Sequence, residues 1–236
     1  MLNTLDIESR KCGLQMNTQK TFAMTNSEKT PIQTESHSIC YVDEYVYLGQ
    51  NISFLNQTSR EVERRIKKAW NKYWSLKEIF KSKLPMHLKR KAMDSVVMPT
   101  STLLYGCQTW SFTKDIVQKI NVFQRAAERS MLGIKLKDRK ENTYIRSITK
   151  VTDAVELASR LKWRWAGHTA RATDNRWSER ILHWYPHEAK RPRGRPRRRW
   201  SDDIYQVAGS TWTRQAQDRQ HWKELEEAYA QKWVAQ

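Results

Sequence analysis

Cysteine is scarce in this sequence, and its few copies are badly placed for cross-linking or metal binding. Cys12, Cys40 and Cys107 lie far apart, and no two of them form a CxxC pair. This spacing argues against both a disulfide framework and a zinc ribbon. No apolar run approaches the roughly 18 residues of a membrane span, and Met1 is not followed by the basic and then apolar pattern of a secretory signal. The sequence therefore predicts a reduced, intracellular protein with no membrane partner.

Acidic residues are also few compared with basic residues. The chain has 43 Lys and Arg residues against 25 Asp and Glu, a formal net charge of +18. The excess is concentrated in two blocks, residues 58–98 and residues 160–200. Basic blocks attract phosphates through counterion release, so we expect a nucleic-acid partner whose affinity falls steeply with salt.

The densest cationic segment, residues 190–200, has the sequence KRPRGRPRRRW and contains no acidic residue. Lys and Arg are rarely buried without a partner, so this segment is predicted to lie on the surface. Its prolines favour an extended backbone and its glycine allows close approach to a ligand. Extended arginines fit the narrow, negative minor groove of AT-rich DNA, and the segment resembles an AT-hook core. The residues predicted to grip DNA are Arg191, Arg193, Gly194, Arg195, Arg197, Arg198 and Arg199. A solvated linker and a nuclear-import signal are the alternatives.

The N-terminal part of the sequence predicts a small β structure. A short helix is expected from Leu2 to Cys12, ended by Gly13. Strands are expected at Lys20–Thr25 and Tyr41–Leu48, with a turn at Gly49.

From Thr58 onward the hydrophobic pattern is helical. Thr58 and Glu61 have the spacing of a capping box. The following apolar residues recur every three or four positions and predict one buried face: Val62, Ile66, Ala69, Trp70, Tyr73, Leu76 and Phe80. The cations between them predict a basic outer face: Arg64, Arg65, Lys67, Lys68 and Lys72. The alternative is an ordinary surface helix with no ligand.

Further helices are predicted downstream. One begins at Pro85 and ends before Pro99, and another spans Thr113 to Leu132 with Gly133 as its C-cap. A helix over Asp153–Ala172 is expected to turn Val155, Ala158, Leu161 and Trp165 inward and Arg160, Lys162, Arg164 and Arg171 outward. The last helix is predicted at Trp212–Trp233. Most of the tryptophans between Trp163 and Trp233 are expected to pack a helical core, with stacking on bases as the alternative.

One pair of aspartates and one pair of histidines are candidates for a catalytic or metal site. Asp202 and Asp203 follow Ser201 at a predicted helix start, where acids complement the helix dipole. His183 and His187 are four residues apart, but Pro186 interrupts the helix that would align them. The sequence therefore predicts a capping role for the aspartates and no metal at the histidines.

Several short motifs together resemble the C-terminal part of non-LTR, RTE-like retrotransposon reverse transcriptases. Gly13 to Thr21 (GLQMNTQKT) and Tyr47-Leu48-Gly49 are similar to the end of the palm, and Leu104 to Trp110 (LYGCQTW) is similar to a pattern that follows the thumb. Trp165-Ala166-Gly167-His168, Gly194-Arg195-Pro196 and Trp200 to Asp203 resemble the C-terminal region.

The resemblance implies a mainly α fold with a β-hairpin palm remnant at residues 1–57. A helical thumb would follow at 58–135 and a basic, tryptophan-rich helical nucleic-acid-binding region at 136–236. It implies a primer-grip turn at Tyr47, Leu48 and Gly49, and backbone contacts from Arg64, Arg65, Lys67 and Lys68. Lys20 would be a catalytic accessory in an intact parent polymerase.

The same resemblance implies an RNA-directed DNA polymerase parent that uses Mg²⁺ held by aspartates of an aromatic-x-Asp-Asp hairpin. These aspartates, and the family's endonuclease, would lie upstream of Met1, so this chain alone is expected to bind nucleic acid without polymerising. Its partners would be an RNA or DNA primer-template or target DNA, and its location nuclear with a cytoplasmic phase. The oligomeric state stays open. The alternatives are a stand-alone AT-hook-like DNA-binding protein and a helical protein-interaction module.

Overall fold

The computed structural model describes residues 1–33, 38–99, 101–174, 177–183 and 198–234. The chain divides into two compact units, Met1–Glu61 and Val62–Gln236. The structure confirms a mainly α fold with a small N-terminal hairpin. The expected three-part division into palm remnant, thumb and C-terminal region stays a prediction.

In the first unit, helix α1 (Leu2–Lys11) precedes two small antiparallel sheets. The helix ends as predicted, because Gly13 takes a φ of 74° and lets the Leu14 N–H donate to the Ser9 carbonyl at 2.9 Å. Strand β1 (Ile32–Gln33) pairs with β2 (Ser38–Ile39), and β3 (Glu44–Tyr47) pairs with β4 (Gln50–Ser53).

The strand expected at Lys20–Thr25 is wrong. Thr18–Lys20 forms a 3-10 turn, because the Asn17 side chain accepts a hydrogen bond from the Lys20 N–H at 3.1 Å and competes with strand pairing. Downstream of the turn, Ala23 makes an isolated parallel bridge with Tyr41.

Helix α2 (Gln57–Ser75) starts one residue before Thr58, and its first turn is closed by the Arg60 N–H donating to the Asn56 carbonyl at 3.0 Å. Thr58 therefore lies within the first turn and not at the predicted cap position. The Glu61 carboxylate instead accepts the Asn51 N–H at 2.8 Å. The predicted apolar face is confirmed, since Val62, Ala69 and Tyr73 are fully buried. The next helix, α3 (Lys77–Lys81), carries Phe80, whose ring stacks on Tyr73 at a centroid distance of 4.4 Å.

Most of the remaining helices of the second unit contribute side chains to one continuous core. Helix α4 (Met86–Ala92) begins after Pro85 and passes into a π turn at Met93–Val97. A 3-10 turn at Cys107–Thr109 precedes α5 (Lys114–Leu132), which begins and ends as predicted. A further 3-10 turn at Leu136–Asp138 leads to α6 (Asn142–Thr149).

Helix α7 (Ala154–Ala170) packs against the last long helix, α11 (Arg219–Val234). Between them in sequence lie α8 (Trp177–His183), α9 (Asp202–Ala208) and α10 (Trp212–Gln215). The single helix predicted at Trp212–Trp233 is therefore two helices. Among the described residues, no helix combines the length and the apolar character needed to cross a bilayer.

Candidate nucleic-acid interface

Helix α2 displays a row of cations opposite its buried face. Residues three and four apart share one side of a helix, and Arg64, Lys67, Lys68 and Lys72 follow that spacing. Lys67, Lys68 and Lys72 are exposed, whereas Arg64 is half-buried. From Arg64 to Lys72 the helix rises by about 12 Å, the axial length of three to four phosphates along one DNA strand. We call these four residues the α2 basic face.

Arg65 does not belong to this face, so its predicted exposure is wrong. Its side chain lies at the edge of the buried stripe and the residue is only 3% exposed. The guanidinium lies 4.3 Å from the centre of the Tyr105 ring and donates to the Thr102 carbonyl at 3.4 Å. Arg65 therefore packs against other residues of the second unit and does not extend into solvent.

The predicted primer-grip turn is the tip of the β3–β4 hairpin. Tyr47 pairs with Gln50, so Leu48 and Gly49 form a two-residue turn. Both turn residues have positive φ, 47° for Leu48 and 80° for Gly49. Leucine is a costly choice at such a position, which usually carries Asn or Gly. The turn nevertheless exposes 58% of Tyr47 and 75% of Leu48.

Lys20 lies on the segment that braces this hairpin. Its carbonyl accepts a hydrogen bond from the Tyr45 hydroxyl at 3.2 Å, while the residue itself is exposed. The structure thus brings the Lys20 segment to strand β3.

Helix α7 is not the basic outer face that its sequence predicts. The Arg164 guanidinium donates to both oxygens of Glu226, at 2.7–3.1 Å. Arg160 pairs with Glu227 and Glu156. The hydrogen bonds that it donates to these carboxylates, first of all to Glu227, raise the pKa of Arg160. The fold therefore neutralises these α7 cations against its own carboxylates.

Lys162 departs furthest from its predicted outward position. Its side chain is fully buried, and its Nζ lies 2.9 Å from an oxygen of Asp203. Burial lowers the pKa of Lys162 to about 8, against the opposing attraction of Asp203. Asp203 lies in the first turn of α9, as predicted, but its carboxylate also accepts the Tyr229 hydroxyl at 3.0 Å inside the core. Asp202 does serve the helix start, because its carboxylate accepts the Arg199 N–H at 2.7 Å.

Of the cationic segment at residues 190–200, the structure describes residues 198–200. The Arg198 guanidinium lies 5.0 Å from the centre of the Trp233 ring, and the Trp200 indole donates to the Gln108 carbonyl at 2.6 Å. Arg199 is described too, whereas five residues predicted to grip DNA lie outside the described residues: Arg191, Arg193, Gly194, Arg195 and Arg197.

Sequence reasoning missed a cluster of arginines formed by Arg125, Arg129 and Arg146. The signal for its first two members was available, since residues four apart lie on the same side of a helix. Arg146 comes from α6, and its approach to α5 could not be predicted from local spacing.

Comparison with known proteins reveals one informative relative. The sequence is 30% identical over 241 residues to an uncharacterized, transposon-derived protein of Caenorhabditis elegans. The match covers 94% of this chain and 86% of that protein. No protein-family model and no solved structure matches the sequence.

Proposed function

The chain belongs to a family of transposon-derived proteins, and we propose that it is the nucleic-acid-binding C-terminal portion of a non-LTR retrotransposon reverse transcriptase. The observation that carries this proposal is the α2 basic face, which places exposed lysines on the side of α2 opposite its packed apolar stripe. This arrangement suits contact with a phosphate backbone, because phosphate contacts need charge and reach without base-specific geometry.

The exposed tip of the β3–β4 hairpin also supports the proposed function. A strained turn that presents apolar side chains to solvent is typical of a contact surface, and Leu48 is held there at a backbone cost. In the proposed function, Tyr47, Leu48 and Gly49 contact the primer strand. The cationic segment at residues 190–200 would hold target DNA in the nucleus.

The described residues do not fit the Mg²⁺ ions of the parent polymerase. Asp202 and Asp203 form the sequence's one Asp-Asp pair, and Asp203 is buried against Lys162. A carboxylate neutralised in the core cannot hold a catalytic metal. We therefore expect this chain to bind a primer-template without extending it, and measurable primer extension by the purified 236 residues would contradict that expectation.

The first test removes charge from the α2 basic face. The triple variant Lys67→Gln, Lys68→Gln, Lys72→Gln should weaken binding of a fluorescently labelled DNA duplex by about tenfold at low salt. The slope of log affinity against log salt should become shallower by about 0.9 for each lysine that contacts a phosphate. Fluorescence anisotropy across a salt series measures both quantities.

The control is a second triple variant with the same loss of charge, at exposed lysines outside α2: Lys137→Gln, Lys140→Gln and Lys223→Gln. It should stay close to the unmodified protein in both affinity and slope. Equal losses in the two triples would show that net charge, and not the α2 basic face, determines binding.

A further inference from the structure

A recess on the second unit gathers arginines away from the α2 basic face. It has a volume of about 260 Å³ and is bounded by α5, by α6, by the residue before α7 and by the end of α11. Its polar lining consists of the Asp153 carboxylate, three guanidinium groups and three side-chain amides: Arg125, Arg129, Arg146, Gln118, Asn121 and Asn142. We call this recess the arginine pocket.

The charges of the arginine pocket do not cancel. Arg125 donates to Glu128 at 2.6 Å and to Asp153 at 3.1 Å, and Arg146 pairs with the same Asp153 oxygen at 2.9 Å. These two carboxylates are thereby committed to two of the guanidinium groups. Arg129 donates to a neutral group, the Asn142 amide oxygen, at 3.5 Å. Three cations thus face two anions.

Both carboxylates have further partners that hold them in place. Asp153 caps α7, its other oxygen accepting the N–H groups of Val155 and Glu156 at 2.9 and 3.0 Å. Glu128 is fully buried and also accepts Gln124 and Thr149. Arg125 is therefore held in place at the bottom of the arginine pocket, and Arg129 and Arg146 lie at its more open side. The pocket thus presents preorganised N–H donors.

We infer that the arginine pocket binds a phosphate group of a nucleic-acid strand. Guanidinium groups match phosphate oxygens bidentately, and the neighbouring amides offer further N–H donors. The recess is small for a drug-sized molecule, and its donors suit a compact anion. A second recess, of about 350 Å³, shares Gln118 and Asn121 with the pocket and continues along α5 to Asp115 and Lys114. From Lys114 to Arg129 the helix spans about 22 Å, enough for a strand to follow.

This inference rests on the proposed function only for the identity of the ligand, and Arg129→Gln tests it. Arg129 lacks a carboxylate partner among the described residues, so the variant should fold normally, as a thermal unfolding curve would show. Binding of a labelled single-stranded oligothymidylate should weaken about fivefold to tenfold, and the salt slope should fall by about 0.7 for the lost contact. The matched control is Lys137→Gln, an exposed cation near Arg129 in sequence but outside the pocket.

The outcomes separate this inference from the proposed function. Strand binding by Arg129→Gln that equals the Lys137→Gln control overturns the arginine pocket, even if the α2 triple variant is impaired. Impaired binding by Arg129→Gln beside an unaffected α2 triple supports the pocket and contradicts the proposed role of α2. Inorganic phosphate that stabilises the unmodified protein but not Arg129→Gln, with strand binding unchanged, would overturn the nucleic-acid assignment and leave a site for small phosphates.

Discussion

Asp203 and Lys162 form an ion pair inside the second unit, with both side chains almost completely hidden from solvent. Lys162 also donates to the Trp200 carbonyl at 2.7 Å and lies 5.3 Å from the centre of the Phe112 ring. A buried pair of this kind gains little over an apolar pair of the same size, but each partner is needed to offset the other's charge.

Replacing Asp203 with Asn should therefore leave a buried cation without its counter-charge. We expect the free energy of unfolding to fall by about 3–5 kcal/mol, measured by urea denaturation. Asp202→Asn makes the same change of charge one residue away and should cost about 1 kcal/mol or less, since it weakens a single helix-start hydrogen bond. Equal, small losses in both variants would mean that the pair is not buried as described.

Helices α7 and α11 meet through two stacked tryptophans. The rings of Trp163 and Trp222 lie 4.0 Å apart and nearly parallel. Each indole N–H donates to the other residue's backbone carbonyl, at 2.8 and 3.1 Å. Gly167 permits this approach, because a methyl group there would lie 2.4 Å from the Trp222 indole nitrogen.

Gly167→Ala should consequently lower the free energy of unfolding by about 1–3 kcal/mol, because overpacking outweighs the helix propensity that alanine adds. Trp222→Phe removes the indole nitrogen, the nearest of the clashing atoms, so the double variant should lose less than the sum of the two single variants. Thermal or chemical denaturation of the three proteins measures this coupling. Stabilisation by Gly167→Ala alone would show that the helices are further apart.

Regular elements were predicted well where their signals are local. The stripe and ends of α5 are an example: Thr113 accepts the Ile116 N–H at 3.3 Å, and Gly133 takes a φ of 72°. Helix α7 shows the limit. Trp165 was expected inside but is 41% exposed, whereas Trp163 is buried. The buried side of α7 is rotated from the predicted one, toward the residues that contact Trp222 and Asp203. These two partners are distant in sequence from α7.

Only part of the candidate site could be predicted, because some of its contacts join residues that are distant in sequence. Spacing alone places Lys67, Lys68 and Lys72 on the exposed side of α2. It cannot show that Arg65 turns toward Tyr105, or that Arg164 is paired with Glu226. Counting cations along the chain therefore overstates the positive surface, because pairing depends on tertiary contacts.

Across the whole molecule, nucleic-acid binding is expected to draw on more than one positive surface. Arg193→Ala with Arg195→Ala should reduce duplex affinity only partly, because the α2 basic face remains. Combined with the α2 triple variant, the losses in binding free energy should add, as they do for independent sites. Anisotropy titrations of the two variants and their combination test this. Nearly complete loss from the two arginine changes alone would favour the stand-alone AT-hook-like alternative.

The stacked pair of Trp163 and Trp222 has an optical consequence. Two indoles held parallel at van der Waals distance couple their electronic transitions, which should give a circular dichroism signal that separated rings lack. This signal should therefore report, without any added label, whether α7 and α11 are packed together.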